Sequence, residues 1–226
     1  MQVRSIRGAF LGASFACLVL GWAASETNEH YRQRDFFCLW QGARITAGGG
    51  DPYDETAWRA ETSQREQDLG APAGFACPRR YSYPLWTAVL MRPFGVVPLA
   101  LASSAWMALA FTSTLAGIAL LWTAVGGQAR FAGVFAAIVL TSQPFWVLVV
   151  GGQVSGVLLA LVGLGVWSLS RQREGLGAAA LTALLIKPQV AGIFVPAVVL
   201  HRLIAQRPGV VASSAVVALV LLAMRS

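Results

Sequence analysis

The chain has 226 residues, of which 56% are hydrophobic and 12% charged, about half the ~25% charge of an average soluble protein. No water-soluble domain of this size hides that much apolar surface, and the net charge of +7 comes from scattered arginines with no basic face of interleaved aromatics, so a soluble enzyme, a disordered tail and a nucleic-acid binder are excluded. Nine of the ten acids lie between Glu26 and Asp68, and only Glu174 lies elsewhere; the pattern is that of an all-α integral membrane protein with one sizeable polar insert.

The first apolar run, residues 8–24, follows Arg4 and Arg7. At about 1.5 Å per residue it is about 25 Å long, a little short of the ~30 Å hydrocarbon core. Its apolar stretch exceeds the usual ~7 to 15 residues of a signal peptide, so it reads as an uncleaved anchor, the first transmembrane helix (residues 1–24).

A polar loop follows, over residues 25–97. Within it Phe36, Leu39, Trp40, Ala43 and Ala47 recur at helical spacing and Gly48, Gly49 and Gly50 end the run. The spacing predicts an interfacial helix with its aromatic residues toward the lipid boundary. Asp51, Pro52 and Tyr53 make a turn, and a second, polar helix is expected over residues 54–69. Cys38 and Cys77 both lie in this loop, where an oxidising compartment permits a disulfide; two cysteines leave the pairing open.

Beyond the loop, residues 98–226 are expected to form about six further spans, at residues 98–125, 130–150, 154–170, 175–186, 188–202 and 210–224. Residues 175–186 cover only ~18 Å as a helix, so Lys187 and Pro188 either interrupt one long span or cap a short hairpin. With the N-terminus inside, the hairpin puts Arg4, Arg7, Arg130, Arg171, Arg173, Arg202 and Arg207 in the cytoplasm, whereas a single broken span leaves Lys187 at mid-membrane. The hairpin is preferred, and it makes the polar loop extracytoplasmic. Asp35, the Tyr83-Pro84 corner, the Gly151-Gly152-Gln153 turn and the Lys187-Pro188 break then fall on one side of the membrane, where they can share a site. Lys187 is the only lysine in the chain.

At these residues the chain resembles the polyprenol-phosphate-mannose-dependent mannosyltransferases of glycosyltransferase family 87, within the GT-C superfamily of multi-spanning enzymes. The family pattern has Asp-Phe soon after the first span, matched by Asp35 and Phe36. An Ala-Arg helix ending in glycines and Asp-Pro-Tyr follows, matched by Ala43, Arg44, Gly48, Gly49, Gly50, Asp51, Pro52 and Tyr53. A Tyr-Pro-Pro corner, a Pro-Leu helix start, a Gly-Gln turn and a Lys-Pro break are matched by Tyr83 and Pro84, with Leu85 in place of the second proline, by Pro98 and Leu99, by Gly152 and Gln153, and by Lys187 and Pro188. The resemblance covers nearly all of this chain and is expected to represent the N-terminal half or so of the family fold.

What the resemblance implies is a GT-C-like helical bundle in the plasma membrane that moves a hexose, mannose in the family, from a polyprenyl-phosphate sugar to an extracytoplasmic glycan or glycolipid acceptor. No cofactor and no metal are implied, and the partners are the lipid-linked donor, membrane lipid and the acceptor, with no nucleic acid. The inverting chemistry needs a carboxylate to take the acceptor proton, cations to steady the leaving phosphate and polar groups to hold the sugar. Asp35 is the candidate base, Lys187, Arg79 and Arg80 the candidate phosphate ligands, and Gln153, Tyr83 and Tyr53 the candidate substrate contacts. Each has a plainer reading. Asp35 suits the N-cap of a helix starting at Phe36, Lys187 a snorkelling span end, Arg79 and Arg80 lipid headgroups, Gln153 a satisfied turn, and the tyrosines interfacial packing. Two other function classes fit the composition: a truncated, non-catalytic membrane protein that binds lipid or a partner, and a small-solute transporter with helices broken near Pro144 and Pro188.

Overall fold

The computed structural model describes residues 34–68, 77–78 and 80–204. The expected spans at residues 8–24 and 210–224, and Arg79, lie outside the described residues. All the regular structure described is helical.

Helix α1 (Arg34–Ala47) stops where the three glycines begin. Gly49 turns the backbone to φ +81°, and the Gly50 N–H returns to the Ile45 carbonyl at 2.9 Å. A left-handed residue just past a helix is where glycine carries no Cβ penalty. Helix α2 (Glu55–Asp68) is started by Asp54, whose carboxylate accepts hydrogen bonds from the N–H groups of Thr56 (2.8 Å) and Ala57 (3.2 Å) and so satisfies donors that the first helical turn leaves open. Two short helices, α3 (Leu85–Leu90) and α4 (Arg92–Gly95), follow Pro84 and carry Pro93 in the first turn of α4. The proline at each start supplies a fixed φ and has no N–H to satisfy.

The aromatic face of α1 does not lie toward lipid, as its periodicity alone suggests. Phe36, Leu39, Trp40 and Ala43 are all 0% exposed. They pack against α3, α4 and the start of the next helix, α5 (Leu99–Ala124). Phe36 stacks on Trp106 of α5 with ring centroids 5.2 Å apart, and Phe94 of α4 meets both rings edge-on. The Trp40 indole N–H donates to the Val97 carbonyl at 3.1 Å. A mixed helix with one apolar stripe must bury that stripe somewhere. Here α3 and α4 provide protein for it, so the lipid is not needed.

The remaining helices are α6 (Ala129–Leu140), α7 (Gln143–Val150), α8 (Ser155–Ser170), α9 (Glu174–Thr182), a 3-10 turn over Ala183–Ile186, and α10 (Pro188–Ile204). Helices α5 and α8 approach closely enough for backbones to touch. A methyl group at Gly163 would stand 2.7 Å from the Gly117 carbonyl oxygen, and one at Gly156 would stand 2.6 Å from the Ala110 carbonyl oxygen. Small residues facing one another in this way let apolar helices gain dispersion contacts where water supplies no driving force.

Among the described residues α5 alone is long and apolar enough to cross a membrane, about 39 Å at 1.5 Å per residue. Helices α6 and α7 meet that standard only together, and they are bent by 63° at their junction, where Pro144 occupies the first turn of α7. The stretches expected as spans at residues 154–170, 175–186 and 188–202 are shorter apolar helices.

Candidate active site

The first turn of α1 carries Asp35. The helix takes in Arg34, so Asp35 stands within the first turn and not at the N-cap before Phe36. Its backbone N–H donates to the Gly151 carbonyl at 3.2 Å. The next carbonyl, that of Gly152, accepts the buried Trp106 indole N–H at 2.8 Å. The turn between α7 and α8 is thereby tied to both α1 and α5. Gly152 holds φ at +67°, a value that suits glycine, and it aims its carbonyl at the indole.

A strap over residues 77–78 and 80–83 closes the site from the loop side. The Cys38–Cys77 disulfide, with Cα atoms 5.6 Å apart, bonds the strap to α1 one turn after Asp35. The Trp58 indole N–H of α2 donates to the Pro78 carbonyl at 3.0 Å, and Arg80 pairs with Glu55 at 3.4 Å. Tyr81 is buried, and its ring fills the notch left by Gly42: a methyl group there would fall 2.3 Å from a ring carbon. Burial, together with the neighbouring Tyr53 and Tyr83 phenols, pushes the Tyr81 phenol well above its usual range.

The strap, the start of α1 and the break before α10 enclose a cavity of about 190 Å³ lined by Asp35, Cys38, Pro78, Arg80, Ser82, Tyr83, Ile186, Lys187, Pro188 and Gln189. At ~30 Å³ per water this is space for about six waters, comparable to one sugar ring. One carboxylate and two cations thus face a common space from segments far apart in sequence. Burial, and after it the Asp35 carboxylate, push the Tyr83 phenol up to about 12, so it remains a neutral hydrogen-bonding group at physiological pH. Lys187 lies at the end of the 3-10 turn, in extended backbone, beside the loop.

Of the residues singled out from the sequence, Asp35, Arg80, Tyr83 and Lys187 come together here. Gln153 does not line the cavity; it sits on the adjoining turn with its N–H bonded to the Leu148 carbonyl at 3.0 Å. Tyr53 is 44% exposed and lines a separate open groove beside Thr46, Asp51 and Leu85. Its hydroxyl donates to the Tyr83 carbonyl at 2.6 Å, and its ring meets that of Tyr81 with centroids 5.7 Å apart. Cys38, Pro78, Ser82 and Gln189 were not anticipated as part of the wall. The signal for them was adjacency: Cys38 is one helical turn from Asp35, and the others are one or two residues from Arg80 or Lys187.

The family model of glycosyltransferase family 87 matches residues 81–226, well over half of the chain. The chain belongs to glycosyltransferase family 87. Neither a curated protein nor a solved structure matches it. Membership supports glycosyltransferase chemistry at a membrane, with one sugar donor and one acceptor. Tyr83, Gln153 and Lys187 fall within the matched residues, whereas Asp35, Tyr53 and Arg80 precede them.

Proposed function

We propose that this family 87 chain transfers a hexose, mannose by resemblance, from a polyprenyl-phosphate sugar to a glycan or glycolipid hydroxyl on the extracytoplasmic face of the plasma membrane, with inversion. The observation that carries the reading is the meeting of Asp35, Arg80 and Lys187 in one cavity. A carboxylate there can take the acceptor proton as the hydroxyl oxygen bonds to the anomeric carbon. On the opposite face of the sugar the bond to the phosphate oxygen breaks, and the electron pair leaves with polyprenyl phosphate. Lys187 and Arg80, the latter shared with Glu55, offer cations to a phosphate, and a phosphate gains charge as it leaves, so the cations act on the transition state more than on the donor. The neutral Tyr83 phenol is a hydrogen-bonding partner for sugar or phosphate oxygens, and Arg79 is placed by its sequence next to Arg80.

In this reading the bundle spans the membrane several times with the N-terminus cytoplasmic, and the cavity opens at the outer surface. The apolar faces left on α6, α7 and α10 then meet lipid and the polyprenyl tail.

The test is Asp35→Asn in protein reconstituted into lipid vesicles with a polyprenyl-phosphate hexose. Transfer should fall by ~10² to 10⁴, the usual contribution of a general base. The helix start should lose at most about 0.3 to 1 kcal/mol, the worth of a carboxylate in a first turn, too little to explain such a fall. Wild-type turnover in the variant would remove Asp35 as the base, and an anomeric product of retained configuration would overturn the single-displacement mechanism.

A further inference from the structure

We infer that the Cys38–Cys77 disulfide is a positioning element of the donor site: it fixes the helix that carries Asp35 against the strap that carries Arg80, and so sets where the phosphate-facing cation stands relative to the base. The inference rests on the donor reading above.

Three features of the geometry lead to it. Asp35 and Cys38 are three residues apart on α1, which places them on one helix face, and both line the cavity. On the other side, Cys77 is followed directly by Pro78, with Arg80, Ser82 and Tyr83 just beyond, and all four line the same cavity. The bond therefore joins the two walls at the site itself.

The strap's other ties lead elsewhere. Trp58 and Glu55, which hold Pro78 and Arg80, both belong to α2. Tyr81 seats on Gly42, about two turns of α1 beyond Asp35. Remove the disulfide, and the strap is still anchored to α2 and to the middle of α1, at points away from the turn that carries Asp35. Arg80 is the group most exposed to that loss. Its side chain is 76% exposed and pairs with Glu55, so its place over the cavity follows its backbone. Lys187 comes from the opposite wall, on the break before α10, and no part of the strap carries it.

The difference between the two cations supplies the test. Binding of polyprenyl monophosphate, and transfer from its hexose ester, are measured on reconstituted protein in the oxidised state and after reduction with a water-soluble dithiol. The same measurements are made on Cys38→Ser/Cys77→Ser, and each form is compared with and without Arg80→Gln or Lys187→Gln. In the oxidised protein each Gln substitution should weaken binding about tenfold, as loss of one charge-assisted contact does. Once the disulfide is open, affinity should already be down by a similar factor. Arg80→Gln should then add less than about twofold, while Lys187→Gln keeps its full effect, because contacts that act as a unit are not additive.

Re-oxidation of the reduced wild type should restore affinity, and that arm carries the measurement even if the serine variant fails to insert. An Arg80→Gln factor equal in both redox states would overturn the inference. So would simultaneous loss of the Arg80 and Lys187 effects on reduction, which would mark the bond as support for the fold at large. Absence of polyprenyl-phosphate binding by the oxidised wild type would overturn the donor reading and this inference with it.

Discussion

Helices α1 and α6 are similar in length and opposite in how they treat their apolar residues. Of the fourteen residues of α1, four large or small apolar side chains at helical spacing reach zero exposure. Helix α6 is almost wholly apolar and buries none, with Ile138 left 61% exposed. In α1 apolar residues meet protein, as in any water-soluble core. In α6 no described residue buries them, which suits a helix that lipid covers, as the proposed membrane reading requires. On the membrane reading proposed above, the loop is folded by the rules of a soluble domain and pinned onto a bundle folded by the rules of the bilayer. The site lies where the two meet, between α1, the strap and the break before α10.

The largest effect should come from cutting into the loop's core. Trp40→Ala removes a fully buried indole and its hydrogen bond to the Val97 carbonyl. It should destabilise the folded protein by ~3 to 5 kcal/mol, the range for large aromatic truncations. Thermal or denaturant unfolding in detergent would measure it. A loss under ~1 kcal/mol would mean that the indole faces lipid after all, and the contrast between α1 and α6 would collapse.

Much of this arrangement was legible in the sequence. Glycines after Ala47, Asp54 before a polar helix and prolines at Pro84, Pro98, Pro144 and Pro188 mark boundaries that the helices observe closely, because these residues act on their own backbone and need no partner. The gathering of Asp35, Tyr83 and Lys187 was expected from the arginine-based topology, which sorts distant corners onto one side, and the three line one cavity. What could not be read was which phase each apolar stripe meets. Phe36, Leu39, Trp40 and Ala43 define a face, but only the presence of α3 and α4, short helices with little periodicity of their own, decides that the face is covered by protein. The same holds for Tyr81 on Gly42 and for the pairing of Cys38 with Cys77. Both depend on where the strap returns, and nothing local encodes that. Gln153 lies off the cavity lining for a related reason: its turn adjoins the site and offers backbone carbonyls to Asp35 and Trp106.

A pair of substitutions on α6 sharpens the other half of the comparison. Ile138→Ala should change stability in detergent by no more than ~0.5 kcal/mol, since an exposed side chain leaves no cavity. Ile138→Lys should instead lower the fraction of α6 and α7 that inserts, by ~2.5 to 3.5 kcal/mol if the position lies at the middle of the span and less if near its end. Insertion efficiency in microsomes measures this directly. If the lysine variant inserted like the wild type, α6 would face water or a second protein, and its bareness would need another cause.

The smallest effect concerns the tyrosines where the loop meets the bundle. Tyr83 is held as the neutral phenol to about 12, first by burial and then by the Asp35 carboxylate, against an ordinary value of 10.0. In the unfolded chain the phenol ionises near its ordinary value, so the folded state keeps its proton over a window in which the unfolded state has lost it. Its contribution to stability is therefore complete below about pH 10 and declines as pH rises from there toward 12. Tyr81, more deeply buried, shifts in the same direction. Phenolate absorbance should show two tyrosines that resist ionisation until the fold is lost, and Tyr83→Phe should remove one of them and flatten part of the alkaline fall in stability. Asp35→Asn removes the nearby charge but not the burial, so it should lower the Tyr83 midpoint by only part of its elevation. If Asp35→Asn instead returned Tyr83 fully to its ordinary range, the elevation would come from charge and not from packing. The interface between loop and bundle at that point would then be open to water, and the division between a soluble-type loop and a lipid-type bundle would have no sealed boundary there.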